Sequence, residues 1–111
     1  MKYTTLRVNG REIGKIGIAN TFFLRFRGLL GRELNDFDGI VITPCNNIHM
    51  MFMKYPIDVL FVDKNRKIIK IDDTLKPWTF CSCDFKAKDV VELRAGTVRK
   101  HSISTGDTVE Y

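Results

Sequence analysis

The chain has 111 residues, 44% of them hydrophobic, and its 18 Lys and Arg against 13 Asp and Glu give a formal charge of +5. That length fits one domain over residues 1–111 and leaves little room for a second. No apolar run approaches the roughly 18 residues of a membrane span, and residues 1–5 lack a charged segment leading into an apolar one, so a cytoplasmic location is the expectation. The three cysteines, Cys45, Cys81 and Cys83, are an odd number without an export signal. They read as reduced thiols, not as a disulfide framework. The basic residues are scattered, with no block of five or six like charges; charge alone speaks to solubility and does not point to nucleic acid.

In chain order, residues 3–8 and 12–18 are rich in β-formers and flank Asn9-Gly10. Both turn residues tolerate positive φ, so an opening hairpin is predicted, with an irregularity at Gly14 or Gly17. Asn20-Thr21 can cap a helix. Behind them Phe22, Phe23, Phe26, Leu29 and Leu30 recur at helical period, while Gly28 weakens the helix and Gly31 is placed to end it. Such a face seals one side of a small sheet. Residues 39–43 are β-branched and read as a strand that Pro44 stops, since proline donates no ladder hydrogen bond. Residues 57–62 and 67–71 flank a polar turn and predict a second hairpin. Residues 79–85 read as a loop or edge strand, 90–93 as a short strand, 97–103 as a helical turn or a strand, and 108–111 as a last short strand. Without βαβ alternation the expectation is a mostly β (α+β) domain. It is a small barrel-like or sandwich sheet of seven or eight short strands with one packed amphipathic helix.

The least ordinary chemistry lies in residues 44–63, PCNNIHMMFMKYPIDVLFVD. If residues 48–53 form a strand, His49, Met51 and Met53 share one face, with Cys45 in the adjacent loop. Soft sulfur beside an imidazole suits Cu(I), and Cys plus His suits Zn(II). The plain alternative is a buried histidine bonded to backbone among methionines that fill the core. Cys45 and His49 also resemble a nucleophile and its base, with Asp58 to orient the ring. Asp58 interrupts a run that is apolar on both faces, so its carboxylate must be paired or hydrogen-bonded: to His49, to an arginine such as Arg27, or to backbone N–H groups of a neighbouring turn. Trp78, after Pro77, is either a stacking platform or a core plug. No phosphate-cradling glycine loop or nucleophile elbow is present.

A helix bearing TFFLRFRGLLGR, then PCNNIHMMFMKYPIDVLFVD, LKPW, VVELRAGT and a terminal GDTVE, in that order, resembles the domain of unknown function 192 family. The resemblance spans residues 20–110. Its most specific part is the pattern made by His49, Met50, Met53, Pro56, Ile57 and Asp58. It implies a compact, mostly β, barrel-like domain with a helix, and no particular reaction.

Three expectations follow for function. The first is a small non-enzymatic binding module, without cofactor, for a small ligand or protein partner. Its pocket lies near residues 44–58, formed by Asn47, His49, Met53, Asp58 and Trp78. The second is a thiol-dependent enzyme using Cys45, His49 and Asp58. The third is a soft-metal site of Cys45, His49, Met51 and Met53, to which Cys81 and Cys83 could add thiolates.

Overall fold

A computed structural model describes residues 1–29, 32, 34–50, 53–84 and 86–111, with the backbone alone for Phe22, Phe23, Phe26 and His49. Among these residues the chain forms β1 (Lys2–Val8), β2 (Arg11–Ala19), α1 (Phe22–Arg27), β3 (Gly39–Ile42), β4 (Asn47–His49) and β5 (Ile57–Asp63). There follow β6 (Ile68–Leu75), β7 (Phe80–Ser82), β8 (Ala87–Arg94), α2 (Thr97–Lys100) and β9 (Val109–Glu110). Seven strands make one sheet in the order β6-β5-β8-β3-β2-β1-β9, and β4 and β7 form a separate two-stranded ribbon. The domain is therefore mostly β, a curled half-barrel with a short packed helix.

The opening hairpin forms as the turn residues dictate, with Asn9 at φ 51° and Gly10 at φ 81°. The predicted irregularity falls beside Gly14: Leu6 pairs with Gly14, Arg7 with Glu12, and Ile13 is the extra residue. The Thr21 hydroxyl caps α1 by accepting from the Leu24 N–H at 3.2 Å. Gly28, at φ 52°, ends the helix earlier than predicted, its N–H donating to Leu24 O. The proposed stop at Gly31, and Leu30 before it, lie outside the described residues. Leu29 is buried and Leu24 packs on the same core, so the segment covers the sheet as expected.

Strand order corrects one expectation. β2 pairs with β3 in parallel, Ile16 opposite Gly39 through Ala19 opposite Ile42, so α1 lies in a single βαβ crossover. The remaining strand pairs are antiparallel.

β5 sits between β6 and β8 and is buried on both faces over residues 57–62. Its alternate side chains join two separate cores. Leu60 and Val62 face the hollow of the curl with Leu6, Val8, Ile16, Val41, Val91 and Leu93. Ile57, Val59 and Phe61 face outward, where Leu29, Ile48, Met50, Met53 and Cys81 cover them. Each such side chain contributes roughly 1.5–3 kcal/mol on full burial, so β5 is the strand both layers depend on. The sheet edges approach at one end: Lys67 bridges to Thr108, and the Val109 N–H donates to Arg66 O at 2.8 Å. That seam limits the exposed edge.

The strand predicted over residues 48–53 stops at His49. The Met50 N–H donates to Thr79 O, and the Met53 N–H turns back to Met50 O at 3.3 Å. Alternation therefore fails beyond that point. Met53 joins Ile48 and Met50 in one core; it does not stand on the opposite face.

Candidate functional site

Three chain segments that are remote in sequence meet at one end of the sheet. Residues 44–46 leave β3, residues 63–65 turn between β5 and β6, and residues 86–88 enter β8. Together they line a cleft of about 690 Å³ whose walls are Pro44, Cys45, Asn46, Asp63, Lys64, Asn65, Lys86, Ala87 and Lys88. That size falls in the range of small-molecule sites.

Backbone bonding holds this frame. The Cys45 N–H donates to Lys88 O at 2.7 Å, extending the β3–β8 ladder past Ile42 and Val90. Asp63 Oδ1 accepts from the N–H groups of Asn65 and Lys67 at 2.8 and 3.0 Å, which fixes the turn. Asp84 Oδ1 accepts from the Lys86 N–H at 2.9 Å. Asn46 O accepts from the Cys83 N–H at 2.9 Å, tying the loop to the strand ribbon. Arg25 Nη1 donates to Pro44 O at 3.3 Å from the helix side.

Cys45 is half-buried at the cleft wall. Its Sγ donates to Asn47 O at 2.9 Å, and burial pushes its thiol above the ordinary range. A nucleophilic cysteine needs the opposite shift. Cys81 donates to Asp72 Oδ2 at 2.5 Å, and burial together with that carboxylate raises it to about 12. Among the described residues no three His, Cys, Asp or Glu side chains converge as a metal site. Of the proposed soft-metal ligands, Met53 is packed in the core, and Met51 and the His49 side chain lie outside the described residues.

Asp58 has a different setting. It is fully buried, and its carboxylate accepts from three backbone N–H groups: Thr74 at 2.8 Å, Gly96 at 3.0 Å and Val98 at 2.9 Å. These bonds pin the first turn of α2 and the end of β6 to the central strand, in the way a buried carboxylate requires. Asp58 alternates with Ile57 and Val59, so it is on the Leu60 face. Cys45 packs on the other face with Ile57, Val59 and Phe61. In the β5–β8 register Asp58 is opposite Leu93 and Asp63 opposite Ala87. Asp58 therefore lies five residue steps along β5, about 17 Å, from Asp63 at the cleft. The structure does not bring Asp58 to Cys45 as the orienting carboxylate of a triad.

The other predicted residues disperse as well. Asn47 is exposed, and its side-chain amide donates to Asn46 Oδ1 at 3.0 Å. The backbone of His49 stands opposite Phe80 in the ribbon. Trp78 is 63% exposed at φ 67°, so the core-plug reading fails. Its N–H donates to Met50 O at 2.7 Å, and neighbouring Phe80 is 68% exposed. Neither aromatic lines the cleft. Sequence reasoning singled out residues 44–58, Cys45 among them, but missed residues 63–65 and 86–88 as the segments that meet Cys45 in this cleft. The only available signal was the polar turn at residues 63–66, and the strand order that brings it to Cys45 is not written locally.

A second concavity of about 380 Å³ lies between Leu34, Asn35, Tyr55, Pro56, Arg94 and Ala95. Its cation is already engaged: Arg94 Nη2 donates to Leu34 O, and Nη1 lies 3.7 Å from Asp38 Oδ1.

Comparison with known proteins adds the following. The model of the family DUF192, described as Uncharacterized ACR, matches residues 4–111. A UPF0127 protein of Thermococcus sibiricus is 32% identical over 103 residues, covering 88% of this chain and 66% of that protein, just under two thirds of its length. A UPF0127 protein of Pyrococcus furiosus is 32% identical over 108 residues, covering 92% of this chain and 91% of that one. Two solved structures are each 25% identical with a TM-score of 0.83 and cover 98% of this chain. One is a protein of unknown function from Novosphingobium aromaticivorans, covered to 85%. The other, covered to 93%, is described as a putative transcription regulator from Sinorhizobium meliloti. No described helix is long and apolar enough to cross a membrane.

Proposed function

The chain belongs to the uncharacterized family DUF192, and we propose that it acts as a small, non-enzymatic binding module whose ligand enters the cleft between residues 44–46, 63–65 and 86–88. One observation carries this reading: the cleft is framed by backbone hydrogen bonds of the sheet itself, so its shape is present before any ligand arrives. A preformed concavity spares the ordering cost that weakens binding to mobile loops. The chemistry of its wall favours binding over catalysis. Cys45 is held as a neutral thiol donor, and Asp58 is committed to backbone on the far face of β5. The ligand contacts expected at Asn47, Met53 and Trp78 give way in this reading to Asn46, Asn65 and the lysines, because Met53 is interior and Trp78 is remote from the wall.

Backbone-amide NMR with a library of small polar and apolar fragments tests the proposal. The expected hits shift the amides of Asn46, Asn65, Lys86 and Lys88 together. Hits that gather instead at Tyr55 and Arg94, or at Trp78 and Phe80, would reject it.

A further inference from the structure

We infer that the ligand of this cleft is a small organic polyanion, a molecule carrying at least two phosphate or carboxylate groups on a compact carbon frame. The inference rests on the binding reading above and names the chemistry of its ligand. Three of the nine wall residues are lysines, Lys64, Lys86 and Lys88, and each is exposed. They arrive from two separate segments, so their convergence is produced by the fold. Among the described residues none of the three is within ion-pairing distance of a carboxylate, whereas Lys70, Arg94 and Arg99 each have an acidic partner.

Among the described residues the single carboxylate in the wall is Asp63, and its Oδ1 already accepts two backbone N–H groups. The wall therefore carries three positive charges against one negative. Like charges gathered around a concavity repel one another and draw a counter-ion into it, because low-dielectric walls focus the field. Ammonium groups act as adaptable point charges and suit phosphate or carboxylate oxygens approached from several directions. Cys45 adds no negative charge, since burial keeps it protonated.

The neutral part of the wall fits the remainder of such a ligand. Pro44 and Ala87 offer apolar surface for a carbon frame, and Asn46 and Asn65 bring side-chain amides to the same space. The shape separates a compact ligand from a polymer. The cations stand on two of the three segments that line one concavity, whereas a nucleic-acid strand is held along an extended basic track with aromatic stacking platforms. The exposed aromatics Trp78 and Phe80 lie outside this wall.

The test uses the full chain, inorganic pyrophosphate and citrate as probes, and the triple variant Lys64→Gln/Lys86→Gln/Lys88→Gln. Lys2→Gln/Lys100→Gln serves as the charge control. The substituted side chains are exposed, and a dispersed amide spectrum confirms that each variant is folded. At low salt, saturable shifts at Asn46, Asn65, Lys86 and Lys88 are expected with at least one probe. The triple variant should bind roughly tenfold more weakly or worse, through loss of three charge contacts, and the control should bind as the parent does.

Equal binding by parent and triple variant overturns the inference. So does a ten-nucleotide oligothymidylate that binds more tightly than pyrophosphate with shifts spreading beyond the cleft. If neutral fragments enter the cleft while both anions fail, the polyanion inference falls and the binding reading stands. If neither anions nor fragments reach the cleft, both fall.

Discussion

Replacing Glu92 with glutamine probes the outer core, where the chain places a carboxyl in apolar surroundings. Glu92 is 4% exposed on β8, between Ile40 of β3 and Val59 of β5. The backbone N–H of Leu29 donates to it, but burial outweighs that bond and raises its pKa from 4.5 to about 7. A carboxyl raised in this way holds more protons in the folded than in the unfolded chain at pH values between the two. The folded state is therefore favoured most below about 4.5, and that advantage is lost as pH climbs to about 7. At about 1.4 kcal/mol per pH unit the loss is about 3 kcal/mol across the interval. Glutamine keeps an oxygen for the Leu29 N–H and has no proton to lose. Urea unfolding followed by circular dichroism, with both proteins at pH 4.5 and pH 8, should show the parent losing about 3 kcal/mol more than the variant. Parallel pH dependences would refute the claim that Glu92 is folded as a protonated acid.

Other expectations follow from the same structure. Asp58→Ala leaves the N–H groups of Thr74, Gly96 and the buried Val98 without their acceptor and should lower stability by about 2–4 kcal/mol, read as a fall in the urea midpoint; a loss under about 1 kcal/mol would deny its tie to α2 and β6. Cys45 and Cys81 should alkylate more slowly than free cysteine at pH 7, since burial raises both thiols; mass-spectrometric peptide mapping showing faster labelling of Cys45 would revive a nucleophile. Trp78, the single tryptophan, is 63% exposed, so its fluorescence should be open to acrylamide quenching, and Trp78→Ala should leave the affinity of cleft ligands unchanged.

Local patterns were readable where the chemistry is local. Asn9-Gly10 specified its turn, Thr21 its cap, and Pro44 the end of β3. The apolar run 57–62 identified the doubly buried strand, and the isolated Asp58 within it called for a bonding partner, which the fold supplies from the backbone of Thr74, Gly96 and Val98. What stayed hidden depends on pairing between distant segments. The parallel β2–β3 contact and the place of β8 between β3 and β5 put Lys86 and Lys88 beside Cys45, and no short pattern encodes that order. The burial of Glu92 is likewise set by distant segments, Ile40 and Val59 on the flanking strands and the Leu29 N–H. The exposure of Trp78 has a related cause: Ile48, Met50 and Cys81 already fill the outer core beneath the ribbon of β4 and β7.

The binding site itself is tested most directly by a crystal structure of the protein soaked with a fragment that binds in solution. The account predicts density for that fragment between Asn46, Asn65 and Lys88. Ordered density in the concavity between Tyr55 and Arg94, or against Trp78 and Phe80, with the cleft left to solvent, would contradict it.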